Sequence, residues 1–164
     1  MSTVRILCPG PSLARYDPID FAGLVIAVNR AAVAFYCHCW AVADYPVIRD
    51  YHAKVLGTPT ILTRRQTWTD IGHRVRMTAK IIEDIDLPGA PPWNLKTMTC
   101  AMAYAYATGA KRIELHGCDW EGTADYDGVQ AGEDRTDKRW EQERAAVNNL
   151  SEWMRARGTE VVRV

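Results

Sequence analysis

Short apolar runs recur along the chain, each closed by a turn or a polar residue. Val4–Cys8, Leu24–Val28, Cys39–Ala43, Thr58–Leu62 and Arg112–His116 carry β-branched or apolar residues in near-continuous blocks. Such blocks suit strands covered on both faces. Between them the spacing turns helical. Ala31–Phe35 predicts a short helix, and Tyr45–Leu56 carries Val47, Ile48, Tyr51 and Val55 at helical intervals. Thr97–Thr108 is a small-residue helix ended by Gly109, in the usual C-cap position. A last helix begins at Thr136 or Asp137, aligns Trp140, Val147, Leu150 and Met154 on one face, and stops at Gly158 before a closing strand, Thr159–Val164. On this pattern Trp140 and Trp153 read as core anchors. Rough alternation over Val75–Ile81 predicts an edge strand, and Pro88–Pro92 predicts a loop. The polar, Gly- and Asp-rich stretch 121–135 predicts a lid or flexible flap.

Strands alternating with helices predict an α/β fold with a mainly parallel twisted sheet, one domain over residues 1–164. Ligands of such sheets sit beyond the carboxyl ends of the strands. Four predicted strands end there in polar or turn residues: Gly10-Pro11-Ser12, Asn29-Arg30, Asp44 and Gly117-Cys118-Asp119. The helix starting at Thr97 brings Asn94, Lys96 and Thr97 to the same side. The first corner, strand then Pro-Gly-Pro then Ser12, has the general form of a phosphate-binding turn. Gly10 has no Cβ and would admit a ligand to the backbone. The corner matches neither G-x-G-x-x-G nor the P-loop pattern.

Each candidate has a structural rival. Ser12 and Asp44 read equally as helix caps, and Asn29 as a residue satisfying loop backbone. His116 reads as a packed strand-end histidine or as a base. Asp125-Tyr126-Asp127 has the form of a D-x-D metal motif, which arises readily in an acidic loop.

Charge changes the picture only locally. Twenty basic and twenty acidic side chains cancel, so no overall field favours a nucleic acid. Residues 49–80 are nonetheless basic and residues 114–143 acidic. No apolar run is long enough to span a membrane and the N-terminus has no signal-peptide pattern. Five cysteines (Cys8, Cys37, Cys39, Cys100, Cys118) show no disulfide spacing. A cytoplasmic, reducing setting is the expectation. Cys37-His38-Cys39 is not read as zinc-binding, because neighbours on an extended chain point apart.

Cys8-Pro9-Gly10-Pro11-Ser12-Leu13, Val28-Asn29-Arg30, Asp44, the Thr97 helix, Gly109–Leu115 and Gly117-Cys118-Asp119, in this order, resemble the family-42 bacterial sialyltransferases. They also resemble the broader group around archaeal hydroxymethylpterin diphosphokinase. The resemblance implies a Rossmann-like three-layer domain. It implies that Gly10, Pro11, Ser12 and Asn29 contact a nucleotide, with Thr97 touching nucleotide or sugar. Asp44 stands where the sialyltransferases have Asn, and the catalytic histidine they carry after the fifth strand has no counterpart beyond His116. The diphosphokinase branch implies Mg²⁺ held by Asp44 and Asp119 with phosphate oxygens.

The expectation is therefore a nucleotide-binding, glycosyltransferase-like enzyme using a nucleotide-activated sugar. Asp44, Asp119 or His116 would be the catalytic group, and Lys96 or Arg30 would offset phosphate charge. The alternatives are a Mg²⁺-dependent phosphotransferase and a non-catalytic nucleotide- or sugar-sequestering domain. The chain's size leaves room for a second copy to complete an acceptor site, as a homo-oligomer.

Overall fold

The computed structural model describes residues 2–18, 21–129 and 136–164 of the chain. Among these residues seven parallel strands form one sheet in the order β5-β4-β3-β2-β1-β6-β7. They are β1 (Thr3–Leu7), β2 (Leu24–Val28), β3 (Cys39–Ala41), β4 (Thr60–Thr63), β5 (Ala79–Ile81), β6 (Arg112–His116) and β7 (Glu160–Arg163). The helices are α1 (Ala31–Ala34), α2 (Tyr45–Tyr51), α3 (Arg65–Asp70), α4 (His73–Arg76), α5 (Thr97–Ala107) and α6 (Asp137–Arg155). This is the expected α/β domain of Rossmann-like type.

The side-chain period of two assigns the faces. Ile6, Cys8, Ile26, Val28, Ile113 and Leu115 point to one face, against Met98, Ala101, Met102 and Ala105 of α5 and Val147, Leu150 and Met154 of α6. Leu7, Val25, Ala27, Trp40 and Ile61 point to the other, against Leu13, Ala31, Ile48 and Ile71. The alanines of α5 let it lie close on the central strands, so that seven of its eleven residues are buried. All five cysteines are buried and unpaired, and His38 accepts a hydrogen bond from the Val25 amide (3.1 Å). No helix among the described residues is long and apolar enough to cross a membrane.

Two expectations shift, and one stretch without a predicted element is helical. The predicted strand 75–81 is split, with Val75 inside α4 and only Ala79–Ile81 paired, because β4 offers partners to three residues alone. The basic stretch after β4 is helical, as α3. Ser12 does not cap a helix: Pro11–Arg15 is a tight 3-10 turn capped by Gly10, and Ser12 lies within it. Residues 130–135 of the expected flap lie outside the described residues. Its first part is folded down, with the Tyr126 amide donating to the Pro9 carbonyl (2.8 Å) and the Asp125 amide to the Val129 carbonyl (3.0 Å).

Strand order reverses between β1 and β6. The chain lays β2 to β5 outward on one side of β1, then returns to place β6 and β7 on the other. The carboxyl ends of β1 and β6 are therefore the switch point, where such sheets open a crevice.

Candidate functional site

At the switch point the two strand ends are locked by backbone. The Cys8 amide donates to the His116 carbonyl (2.8 Å) and the Gly10 amide to the Gly117 carbonyl (3.0 Å). Both glycines are required by contact. A Cβ on Gly117, whose φ is +68°, would lie 2.1 Å from the Cys8 carbonyl oxygen, and one on Gly10 would lie 2.4 Å from that of Gly117. What approaches Gly10 is thus the chain itself.

Asp119 completes the lock. One carboxylate oxygen accepts from the Ser12 amide (2.7 Å) and the other from the Ser12 hydroxyl (2.6 Å). The carboxylate fills the donor set that the corner would have offered a phosphate. Ser12 and Asp119 share one rim, as the sequence suggested, but each is engaged by the other. Asp119→Ala removes both acceptors from half-buried donors, so a loss of about 2 kcal/mol is expected. In thermal unfolding this is a drop of about 5 °C, with Asp119→Asn, which keeps one acceptor, losing less.

Beside this lock lies a cleft of about 300 Å³ on the α5/α6 side of the sheet, with Cys8, Val28, Met98 and Cys118 as its floor. That volume is at the lower end for small-molecule sites. Burial and the neighbouring Cys8 thiol push the Cys118 thiol up. Across the rim, strand order sets out the walls. One half carries Arg64 after β4, Asp44 after β3, Asn29 after β2, and Lys96 and Thr97 at the start of α5. The other half carries Trp120 and Glu121 after β6, and Arg139, Trp140 and Glu143 from α6.

The first half is the more basic. Arg64 donates to the Leu95 carbonyl (2.6 Å) but, like Lys96, makes no ion pair among the described residues. The first amides of α5 have no intrahelical acceptor and its first turn has no acidic residue. Asp44 holds the N-cap position of α2 without capping it, since its side chain makes no hydrogen bond to the helix. Asn29 stands at φ +50°, with its backbone fixed by the Ala41 carbonyl (2.9 Å) and the Trp40 indole (2.8 Å). Its Oδ1 is buried without a hydrogen-bond partner among the described residues. Among the described residues only Asn29 and Trp120 (φ +48°) are non-glycine residues in the left-handed region. Both line the cleft. Strain of this kind collects at functional sites.

Of the residues singled out by sequence, Gly10, Asn29, Asp44, Lys96, Thr97 and Asp119 converge on the cleft. Five do not line it. Pro11 is exposed and Ser12 is turned onto Asp119. Asn94 is exposed beyond the rim. Arg30 points to the opposite face, where it pairs with Asp125 (2.8 Å) and Asp127. His116 also faces away, edge-on to the Tyr16 ring (4.9 Å between centroids) and 3.6 Å from Glu114. Burial and the Arg5 guanidinium hold its pKa below the usual histidine value, against a partial offset from Glu114. His116 is a half-buried neutral member of the Arg5–Glu114 cluster.

Arg64, Trp120, Glu121, Arg139, Trp140 and Glu143 line the cleft without having been singled out. Arg64, Trp120 and Glu121 follow strand ends, so the rule that found Asn29 and Asp44 reaches them. Arg139, Trp140 and Glu143 occupy the first two turns of α6, and only the placement of that helix over the strand ends reveals them.

Mg²⁺ would find two open carboxylates in this cleft, Asp44 and Glu121, one on each half. The described residues hold no group of three or more His, Cys, Asp or Glu suited to a metal, and both oxygens of Asp119 are engaged. The donor set therefore suits a Mg²⁺ that arrives with a phosphate, rather than a resident ion. No family model, curated protein or solved structure matches the chain.

Proposed function

We propose that the cleft binds a nucleotide-activated sugar and that the protein is a glycosyltransferase-like enzyme. The observation that carries this reading is the unneutralised basic half of the cleft, where Arg64 and Lys96 stand at the open start of α5 beside the uncommitted Asp44. A helix N-terminus with two cations favours an anion. The donor phosphate rests there, and not in the Gly10–Ser12 corner that Asp119 fills.

The chemistry follows from that placement. The acceptor hydroxyl attacks the anomeric carbon of the donor as the bond from that carbon to the phosphate oxygen breaks. Its electron pair departs on the phosphate, where Lys96, Arg64 and the first α5 amides stabilise the charge. The hydroxyl proton passes to the Asp44 carboxylate, directly or through one water. Phosphotransfer through a two-carboxylate metal site is less well supported, because Asp119 is engaged by Ser12.

Thermal-shift titration with CMP, CDP, UDP, GDP and ATP, with and without Mg²⁺, tests the reading. At a hundredfold excess over Kd, the fitting nucleotide adds about 2.7 kcal/mol, hence about 5–10 °C. Lys96→Gln should weaken that binding about tenfold. Asp44→Asn should leave binding intact and slow turnover by about a hundredfold or more. Absence of stabilisation by any of these nucleotides at millimolar concentration overturns the proposal.

A further inference from the structure

The other half of the cleft has a different chemistry. Trp120 follows directly on Asp119 with its backbone held in the left-handed region, a conformation that a bulky residue adopts only when its surroundings impose it. The Arg163 guanidinium lies 5.0 Å from its ring centroid and 3.7 Å from Asp119, tying the indole to the lock at the switch point. Trp140, in the first turn of α6, donates from its indole nitrogen to the Gly122 carbonyl (3.1 Å). Its polar edge is thus engaged by the chain, and the side chain lines the cleft. Trp153, on the same helix, instead packs edge-on to Tyr106 (5.1 Å) under the α5/α6 contact. One helix thus spends one tryptophan on packing and puts another at the cleft.

Around these rings stand carboxylates. Glu121 is exposed, and Glu143 is half-buried with Arg139 3.4 Å away. Asp119 makes a third, against Arg139 and Arg163 as the cations. An ionised carboxylate only accepts hydrogen bonds, so the ligand it selects must donate them. Net negative charge on this half also turns a phosphate toward Arg64 and Lys96. A flat apolar ring beside acceptor-only groups suits a neutral molecule with a C–H face and a rim of hydroxyl groups.

From this we infer that the α6 end of the cleft is a saccharide subsite, with Trp120 and Trp140 as its platform and Glu121 and Glu143 as acceptors for sugar hydroxyls. This rests on the glycosyltransferase reading for its meaning, as the place of the acceptor, but is tested apart from it. A nucleobase could also stack on the tryptophans. The test separates the two.

Saturation-transfer NMR with the methyl glycosides of glucose, galactose and N-acetylglucosamine is run on the full chain, beside nucleotide thermal shifts. At least one glycoside should show transfer to its ring C–H protons. Trp120→Ala and Trp140→Ala should weaken it about tenfold. Lys96→Gln should leave the glycoside untouched while weakening the nucleotide. Glu121→Gln changes an exposed residue without altering packing, so it decides the matter even where a tryptophan variant unfolds; it should weaken the glycoside severalfold. No glycoside signal at millimolar concentration, or an unchanged signal in Glu121→Gln and the tryptophan variants, overturns the subsite. So does loss of nucleotide rather than glycoside in the tryptophan variants. Nucleotide shifts without glycoside binding would sink the subsite and spare the transferase reading. Tryptophan-dependent glycoside binding without nucleotide shifts would do the reverse.

Discussion

Gly117→Ala is expected to lower the melting temperature by about 10 °C, through a loss of about 3–4 kcal/mol. Two costs combine. The backbone at Gly117 has φ +68°, which an L side chain adopts at about 1–2 kcal/mol. The new Cβ would also sit 2.1 Å from the Cys8 carbonyl oxygen, where neither backbone can yield without loosening the β1–β6 junction. Gly89→Ala separates the terms, since Gly89 has φ +74° with nothing within 4 Å of the added atom. It should lose only about 1 kcal/mol. Equal losses in the two variants, by denaturant unfolding, would show that close approach of the strand ends contributes nothing.

Arg30→Met is the second large effect. The Asp125 side chain is 1% exposed and its carboxylate lies 2.8 Å from the Arg30 guanidinium. Burial alone would lower the arginine's pKa, and the charges of Asp125 and Asp127 more than reverse that. Removing the cation takes from a buried carboxylate the counter-charge 2.8 Å away, at about 3–5 kcal/mol. The chain from Asp125 to Val129, which Tyr126 fastens to Pro9, should loosen with it. The double variant Arg30→Met/Asp125→Asn should recover a substantial part of the loss, because contacting residues couple. A double variant no better than the single would mean that the pair is not what holds this segment.

How far the sequence reached depends on which physical signal each residue carries. The strand blocks and the small-residue helix at Thr97 were legible because a sheet buried on both faces needs continuous apolar runs and a close-lying helix needs alanine. Polar residues at strand ends then pointed to one rim, and Gly10, Asn29, Asp44, Lys96, Thr97 and Asp119 do meet there. Parity along β6 carries the signal for His116. Ile113 and Leu115 face α5 and α6, so His116 lies on the opposite face, and the left-handed Gly117 returns Cys118 to the cleft floor. Two features were beyond any local pattern. Ser12 turns its hydroxyl to Asp119, 107 residues away, so its partner is fixed only by β1–β6 pairing. Trp140 shares a periodic face with Val147 and Leu150 and so read as core. The helix begins out over the strand ends, and its first turn has cleft rather than sheet beneath it.

The order of the strands also bears on how the molecule is made. As the polypeptide emerges, β1 can acquire β2 and the strands beyond it at once, yet its other edge finds β6 only after residue 112 has been synthesised. Until then β1, an interior strand of the finished sheet, is an outer one, offering Ile6 and unpaired amides to any neighbouring nascent chain. Closure across so long a span is slow relative to local pairing. The half-built protein, rather than the finished one, is where intermolecular association is the hazard.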